Sequence, residues 1–337
     1  MKIFILFISM LLLCSFSKAN TESSYIVMET TTKTVIKANN EDKQMLIAST
    51  AKILTALTVI ENYDLDELVF IKDEYTKAVG SSVYLSKGDY VSRYDLLHAL
   101  MLRSANDAAS ALSDNNNSEF IMKMNELAKK IGMKNSIFTN ASGLDEKEYN
   151  LSTAYDMGLL ASYASANEIF TSISSMHTYK ATTNDNSYTW INKHKLVTSD
   201  ESFFWGKTGY TKKAHRILVS NYLKDDINVV IVTINNNDDW NFHKKSINEL
   251  DDYSFIKLYD KGLYEILLDK RYYLVVDSNI VIAIKKDDID DINYKLEIIG
   301  SNAILKIYLN SKLICFKALR IYDKNSIDID LLVELYL

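Results

Sequence analysis

Helical patterning in the first half of the chain, strand patterning from residue 203, and short strands after residue 270 predict an α+β protein in two units. The 337 residues suffice for two modest hydrophobic cores. With 47% hydrophobic and 24% charged residues, the composition is that of an ordinary globular protein. The chain has no proline and only nine glycines, so its turns must rely on Asn, Asp and Ser, which tolerate left-handed backbone and bond to it locally.

The elements follow in order. Residues 1–19 carry a positive start at Lys2, an apolar run from Ile3 to Phe16 and a small-residue end, Ser17-Lys18-Ala19. The run is shorter than the roughly 20 residues of a spanning helix, so it reads as a cleaved signal peptide and implies export. Cys14 raises a lipoprotein variant, which the bulky Leu13 disfavours. Cleavage removes Lys2 and Lys18 and takes the net charge from −6 to −6 − 2 = −8, which argues against nucleic acid as a partner. SYIVMETTTKTVIKA (24–38) alternates like a hairpin. Helical patterns cover 50–63, 93–103, 106–114, 118–131 and, after a capping residue, 151–164. FFWGKTGYT, HRILVSNYL and INVVIVTIN, between 203 and 235, read as strands. A helix is expected from 242 to 268. YYLVVD, IVIAIK, YKLEII and AILKIYL then mark a small all-β unit. The expected division is a main domain over 20–269 and a β-rich domain over 270–337. Cys315, within LICF, is expected to be a buried, inert thiol; it is the one cysteine left after cleavage, so no disulfide can form within the mature chain.

IASTAKILTAL (47–57) places Ser49 and Lys52 three residues apart where an apolar helix begins. The bland reading is a helix cap and a solvated lysine. The sharper one is a hydroxyl nucleophile and its base on one helical face. Ser-x-x-Lys alone is weak, because Ser254-Phe255-Ile256-Lys257 repeats it. Lys207-Thr208-Gly209, however, occurs once, inside an expected strand. Ser-x-Asn occurs as Ser104-Ala105-Asn106, Ser113-Asp114-Asn115 and Ser246-Ile247-Asn248. The last follows the Lys-Thr-Gly and fails on order. Ser113 opens an Asn run that reads as a solvated turn. Ser104 and Asn106 sit between two apolar helices, where both side chains can be fixed at a cleft. The five histidines show no metal-ligand spacing, and neither metal nor cofactor is expected. Arg216 could meet a substrate carboxylate or be a solvated strand residue.

With these three motifs in order, residues 24 to about 265 resemble the D-alanyl-D-alanine carboxypeptidases, the low-molecular-mass penicillin-binding proteins of the serine peptidase kind. VGSSVYLSKGDYVSRYDLLHALMLRSANDAASAL, FTNASGLDEKEYNLSTAYDMGLLASYA and GKTGYTKKAHRILVS carry the same resemblance. It implies a transpeptidase/β-lactamase-like domain, an antiparallel sheet flanked by helices, followed by a small C-terminal all-β domain. It also implies that Ser49 attacks the carbonyl of a stem peptide's penultimate D-alanine, with Lys52 as base, its pKa lowered by burial and by Lys207. Ser104 would pass a proton to the leaving amine, and Asn106 would hold the substrate amide. Lys207 and Thr208 would bind the terminal carboxylate, and Gly209 would let the substrate backbone approach. The backbone N–H groups of Ser49 and Tyr210 would form the oxyanion hole. Implied partners are peptidoglycan stem peptides ending in D-Ala-D-Ala and β-lactams as covalent inhibitors, met outside the cytoplasm in the cell wall or on the outer face of the cytoplasmic membrane.

The chain departs from the family pattern at Ile47, where a proline usually stands, and at His215, where a glycine usually follows the Lys-Thr-Gly. Its end, IDIDLLVELYL, is not a basic amphipathic helix, which leaves membrane attachment open. Two rival functions stay in view: a serine β-lactamase, and a catalytically decayed cell-wall binding module.

Overall fold

The computed structural model describes residues 23–145, 149–225, 227–266, 272–299 and 302–323; the expected signal peptide and the C-terminal IDIDLLVELYL lie outside them. Strands β1 (Ser24–Glu29), β2 (Val35–Asn39), β3 (Phe203–Thr211), β4 (His215–Lys224) and β5 (Ile227–Ile234) form one sheet in the order β2-β1-β5-β4-β3. Every pairing in it is antiparallel. Successive side chains of a strand point to opposite faces, and both faces here are covered. Ile26, Met28, Val230 and Val232 join the large helical core, whereas Val27, Val229 and Ile231 pack with Leu250 beneath the other face. That two-sided burial explains why β5 reads as a near-continuous apolar run.

Helices α1 (Lys52–Asn62), α2 (Arg93–Leu102), α3 (Asn106–Leu112), α4 (Ser118–Ile131), α5 (Ala154–Ser165) and α6 (Glu168–Ser174) build the core on the first face. Their starts follow local chemistry. Ser92 accepts a hydrogen bond from the Asp95 amide at the head of α2, and Thr153 from that of Asp156 at the head of α5. The short α7 (Lys195–Ser199) precedes β3, and α8 (Asp239–Asn248) lies against β4 and β5.

The helix expected over 242–268 ends at Asn248. Glu249, Asp251 and Asp252 come next, and negative charge is unfavourable at a helix C-terminus. Beyond them Tyr253–Tyr259 is strand β6, which pairs with β9 (Ile280–Lys285) far along the chain. A second sheet joins β7 (Gly262–Glu265), β8 (Tyr272–Val276), β10 (Ile292–Ile299), β11 (Asn302–Leu309) and β12 (Lys312–Asp323) in the order β7-β8-β12-β11-β10. Since β6 and β7 belong with these strands, we propose a unit boundary near residue 250 rather than 270. Cys315 is buried on β12, and burial pushes its thiol up to about 11. The turn between β1 and β2 joins the units: Thr31 Oγ1 donates to Val281 O at 3.0 Å and accepts from Val281 N at 2.9 Å.

Candidate active site

Ser49 lies in a 3-10 turn, Ala48–Ala51, that runs directly into α1, with Lys52 as the first α-helical residue. The serine caps nothing, since neither turn nor helix has a side-chain cap bond at its start. Its hydroxyl instead stands 3.2 Å from Lys52 Nζ. Two glycines allow the turn to be enclosed. Gly143 has φ +82°, and a Cβ there would lie 1.9 Å from Ala48 O. Gly209 on β3 has room for no more than a close approach, because a Cβ would meet Thr50 and Ile47 at 3.2–3.3 Å. The strand therefore uses this missing side chain against the Ser49 turn, a contact not anticipated when Gly209 was read as making space for substrate.

Lys52 is fully buried. Besides Ser49 its ammonium donates to Asn106 Oδ1 at 2.6 Å and to the Ser142 carbonyl. Burial lowers its pKa to about 7, the charge of Lys193 adds to the lowering, and Asp107 opposes it. Lys193 is thus a second cation acting on Lys52 beside the expected Lys207, whose repulsion with Lys52 is mutual. Lys207 is itself buried, donating to Ser104 Oγ at 2.8 Å and Thr208 O at 2.9 Å. Burial, then Lys52, then Lys193 hold it well below the ordinary lysine range.

Ser104 occupies the junction of α2 and α3 at φ +60°, a conformation uncommon for non-glycine residues, and it is held there at the cleft. Asn106 caps no helix; its amide is spent on Lys52 and, at 2.6 Å, on Val79 O. Ser49, Ser81, Ser104, Lys193, Thr208, Gly209 and Tyr210 line one cleft, which extends past Arg216, Asp239 and Trp240. Tyr210 is 64% exposed at its rim. Arg216 makes a two-pronged ion pair with the buried Asp239, at 2.7 and 3.1 Å, so it is neither a solvated residue nor a wholly uncommitted one. His215 is exposed at the β3–β4 turn, with φ +59°, and is not among the residues lining the cleft.

The other copies of the motifs go elsewhere. Asp114, Asn115 and Asn116 all have positive φ and form the expected turn, with Asp114 held by Lys72 at 2.6 Å. Ser246 and Asn248 are in α8. Three of the five histidines are buried; one of them, His194, lies behind Lys207. Val197 N donates to His194 Nδ1, so Nε2 carries the proton toward Val219 O and Ser220 Oγ, both at 3.1 Å. Burial takes its pKa down to about 3 and keeps it neutral.

The profile of the D-alanyl-D-alanine carboxypeptidase family matches residues 16–238, about two thirds of the chain. The chain belongs to that family. Among curated relatives, the D-alanyl-D-alanine carboxypeptidase DacF of Bacillus subtilis is 28% identical over 223 residues, covering 64% of this chain and 57% of that protein. The D-alanyl-D-alanine endopeptidase of Haemophilus influenzae is 28% identical over 222 residues, covering 63% and 75%. The chain thus matches little more than half of the Bacillus relative. A crystal structure of the Mycobacterium tuberculosis D-alanyl-D-alanine carboxypeptidase superposes with TM-score 0.60 at 27% identity, covering 63% of this chain and 81% of that one. Penicillin binding protein 5 of Haemophilus influenzae has TM-score 0.71 over 89% of this chain and 96% of its own; at 21% identity it speaks for the fold alone, including the C-terminal β unit.

Several residues that bear on Lys52 belong to none of the three short motifs. Ser142 and Gly143 lie in FTNASGLDE, and the glycine there marked a special backbone position. Lys193 and Asp107 had no such mark, because their proximity to Lys52 arises only on folding.

Proposed function

We propose that this chain is a serine-type D-alanyl-D-alanine carboxypeptidase, removing the terminal D-alanine from peptidoglycan stem peptides, and that β-lactams acylate it. The observation that carries this is the pair of a half-buried Ser49 Oγ and a fully buried Lys52 Nζ, 3.2 Å apart, with the lysine poised near neutrality. A serine hydroxyl needs a base within hydrogen-bond reach, and a base works best with its pKa near the working pH.

The steps follow from the cleft. A carboxylate arriving at Lys207 and Thr208 favours the charged form of Lys207, which burial otherwise disfavours. The charged Lys207 then favours the neutral amine at Lys52, because the two cations repel. Ser49 Oγ attacks the penultimate carbonyl while its proton passes to Lys52. The oxyanion is held by the backbone N–H groups of Ser49 and Tyr210. The C–N bond breaks, and the leaving amine takes a proton relayed through Ser104, which Lys207 orients. Asn106 holds Lys52 in line and, on exchanging a partner, the substrate amide. Water then attacks the ester, releasing the shortened peptide and free Ser49. Arg216, half of an ion pair at the cleft's far end, keeps donors available to a second carboxylate. The signal-like residues 1–19 and the proposed peptidoglycan substrate support a mature protein, with its main domain from residue 20 to about 250, that works outside the cytoplasm.

The purified mature chain, incubated with fluorescent penicillin and a diacetyl-Lys-D-Ala-D-Ala peptide, tests this beside Ser49→Ala. Lasting label and D-alanine release, both abolished in the variant, are the expected result. Fast loss of label with penicillin turnover would mean a β-lactamase, and a folded protein giving neither signal would mean a binding module.

A further inference from the structure

Asn106 and Asp107 divide one loop between them. Asn106 holds its first part, donating from Nδ2 to Val79 O and from its backbone N–H to Ser81 O at 2.7 Å. Asp107 holds the second. Its Oδ2 accepts from Ser82 Oγ at 2.5 Å, Leu85 N at 3.1 Å and Val83 N at 3.2 Å, while Oδ1 accepts from Ala108 N at 3.0 Å. The side chain is fully buried. A buried carboxylate costs several kcal/mol unless its surroundings compensate the charge. Those donors are all neutral and belong to the protein's own frame.

We propose that Asp107 is a positioning residue for the Ser49–Lys52 pair: it anchors residues 82–85 beside Asn106 and supplies the negative charge that balances the cleft lysines. This rests on the function proposed above. The charged groups that bear on Lys52 come from three elements: Asp107 from α3, Lys193 from the segment before α7, and Lys207 from β3. Its remaining partners, Ser49, Asn106 and the Ser142 carbonyl, are neutral. Asp107 is therefore the counterweight that keeps Lys52 from falling further once burial and Lys193 have lowered it. A merely structural residue would need only the hydrogen bonds.

The test is the rate of acylation by fluorescent penicillin from pH 5 to 9 in the wild type, Asp107→Asn and Ser82→Ala. The rate rises with pH as Lys52 loses its proton. Removing the carboxylate should move that rise to lower pH by about half a unit, so that on the acidic side the variant reaches roughly threefold more of its own plateau. Ser82→Ala keeps the charge and loses one anchor, so its rise should stay in place while the plateau falls roughly threefold. A wild type that never acylates overturns this proposal together with the function it rests on. A wild type that acylates while Asp107→Asn keeps the same pH position overturns the proposal alone. If circular dichroism shows Asp107→Asn unfolded, Ser82→Ala decides: an unchanged plateau overturns the anchoring.

Discussion

Two segments of this chain spell Ser-x-x-Lys, and they differ in everything but spelling. Ser49 and Lys52 straddle the passage from a 3-10 turn into α1, where three residues nearly complete a turn and bring hydroxyl and amine to 3.2 Å. Ser254 and Lys257 lie on β6, where an odd spacing sends the two side chains to opposite faces. The first lysine is fully buried among Asn106, Ser49 and a backbone carbonyl. The second is partly exposed and pairs with Asp260 at 2.7 Å. Spacing is thus a necessary part of the motif and a small one. Secondary structure makes it proximity, and burial makes proximity into chemistry.

The largest expected effect breaks the first copy. Lys52→Met should reduce acylation by roughly 10²–10⁴-fold, the range for loss of a general base, measured as the second-order rate with fluorescent penicillin. The same change should stabilise the fold at neutral pH. The folded pKa of Lys52, about 7, lies below its unfolded value near 10.4, so between the two the unfolded chain binds the extra proton. The burial penalty is then present in full below pH 7 and fades as pH rises toward 10. Urea midpoints of wild type and Lys52→Met should differ most at pH 6–7 and converge only as the pH passes the unfolded value near 10.4. A gap that widened with pH would contradict the depressed pKa.

Gly143→Ala attacks the enclosure instead of the base. The new methyl would collide with Ala48 O, and the backbone would sit at φ +82° with a Cβ attached. Strained backbone and overpacking together should cost about 2–4 kcal/mol, read as a lower urea midpoint at unchanged slope. Acylation should fall with it, because the displaced atom belongs to the residue before Ser49. Retained stability with lost acylation would mean that the loop yields and the turn does not.

How much of this was legible in the sequence follows the same division. α1 to α5 and β3 to β5 were readable from their apolar runs, and α2, α4 and α5 also from the Ser92, Asn117 and Thr153 that cap them, whereas α1 and α3 start without a side-chain cap. Ser104 was separable from Ser113 because one is flanked by apolar helices and the other by an Asn run. β6 was not readable: YSFIKLY has apolar residues that suit either period, and its partner β9 lies some twenty-five residues onward. The role of Lys193 was hidden for a stronger reason. No local pattern states that a lysine before α7 will come to rest near one that opens α1, so the electrostatics of Lys52 exist only in the folded chain. Gly209 was found for one of two possible reasons, since a glycine beside a predicted cleft does not say that the Ser49 turn also needs the space.

The smallest expected effect tests the second copy. Lys257→Ala removes an exposed pair with Asp260 on β6, and such pairs contribute about 0–1 kcal/mol. Acylation should stay within twofold of wild type, with a urea midpoint shift equivalent to less than about 1 kcal/mol. The strand keeps its backbone pairing to β9 in that variant, because the ladder does not pass through the side chain. If this substitution cost acylation as Lys52→Met does, burial and partners would not be what separates the two copies. A coupling between β6 and the cleft would then have to run through α8, the helix that leads into β6 and whose Asp239 holds Arg216 at the cleft's edge.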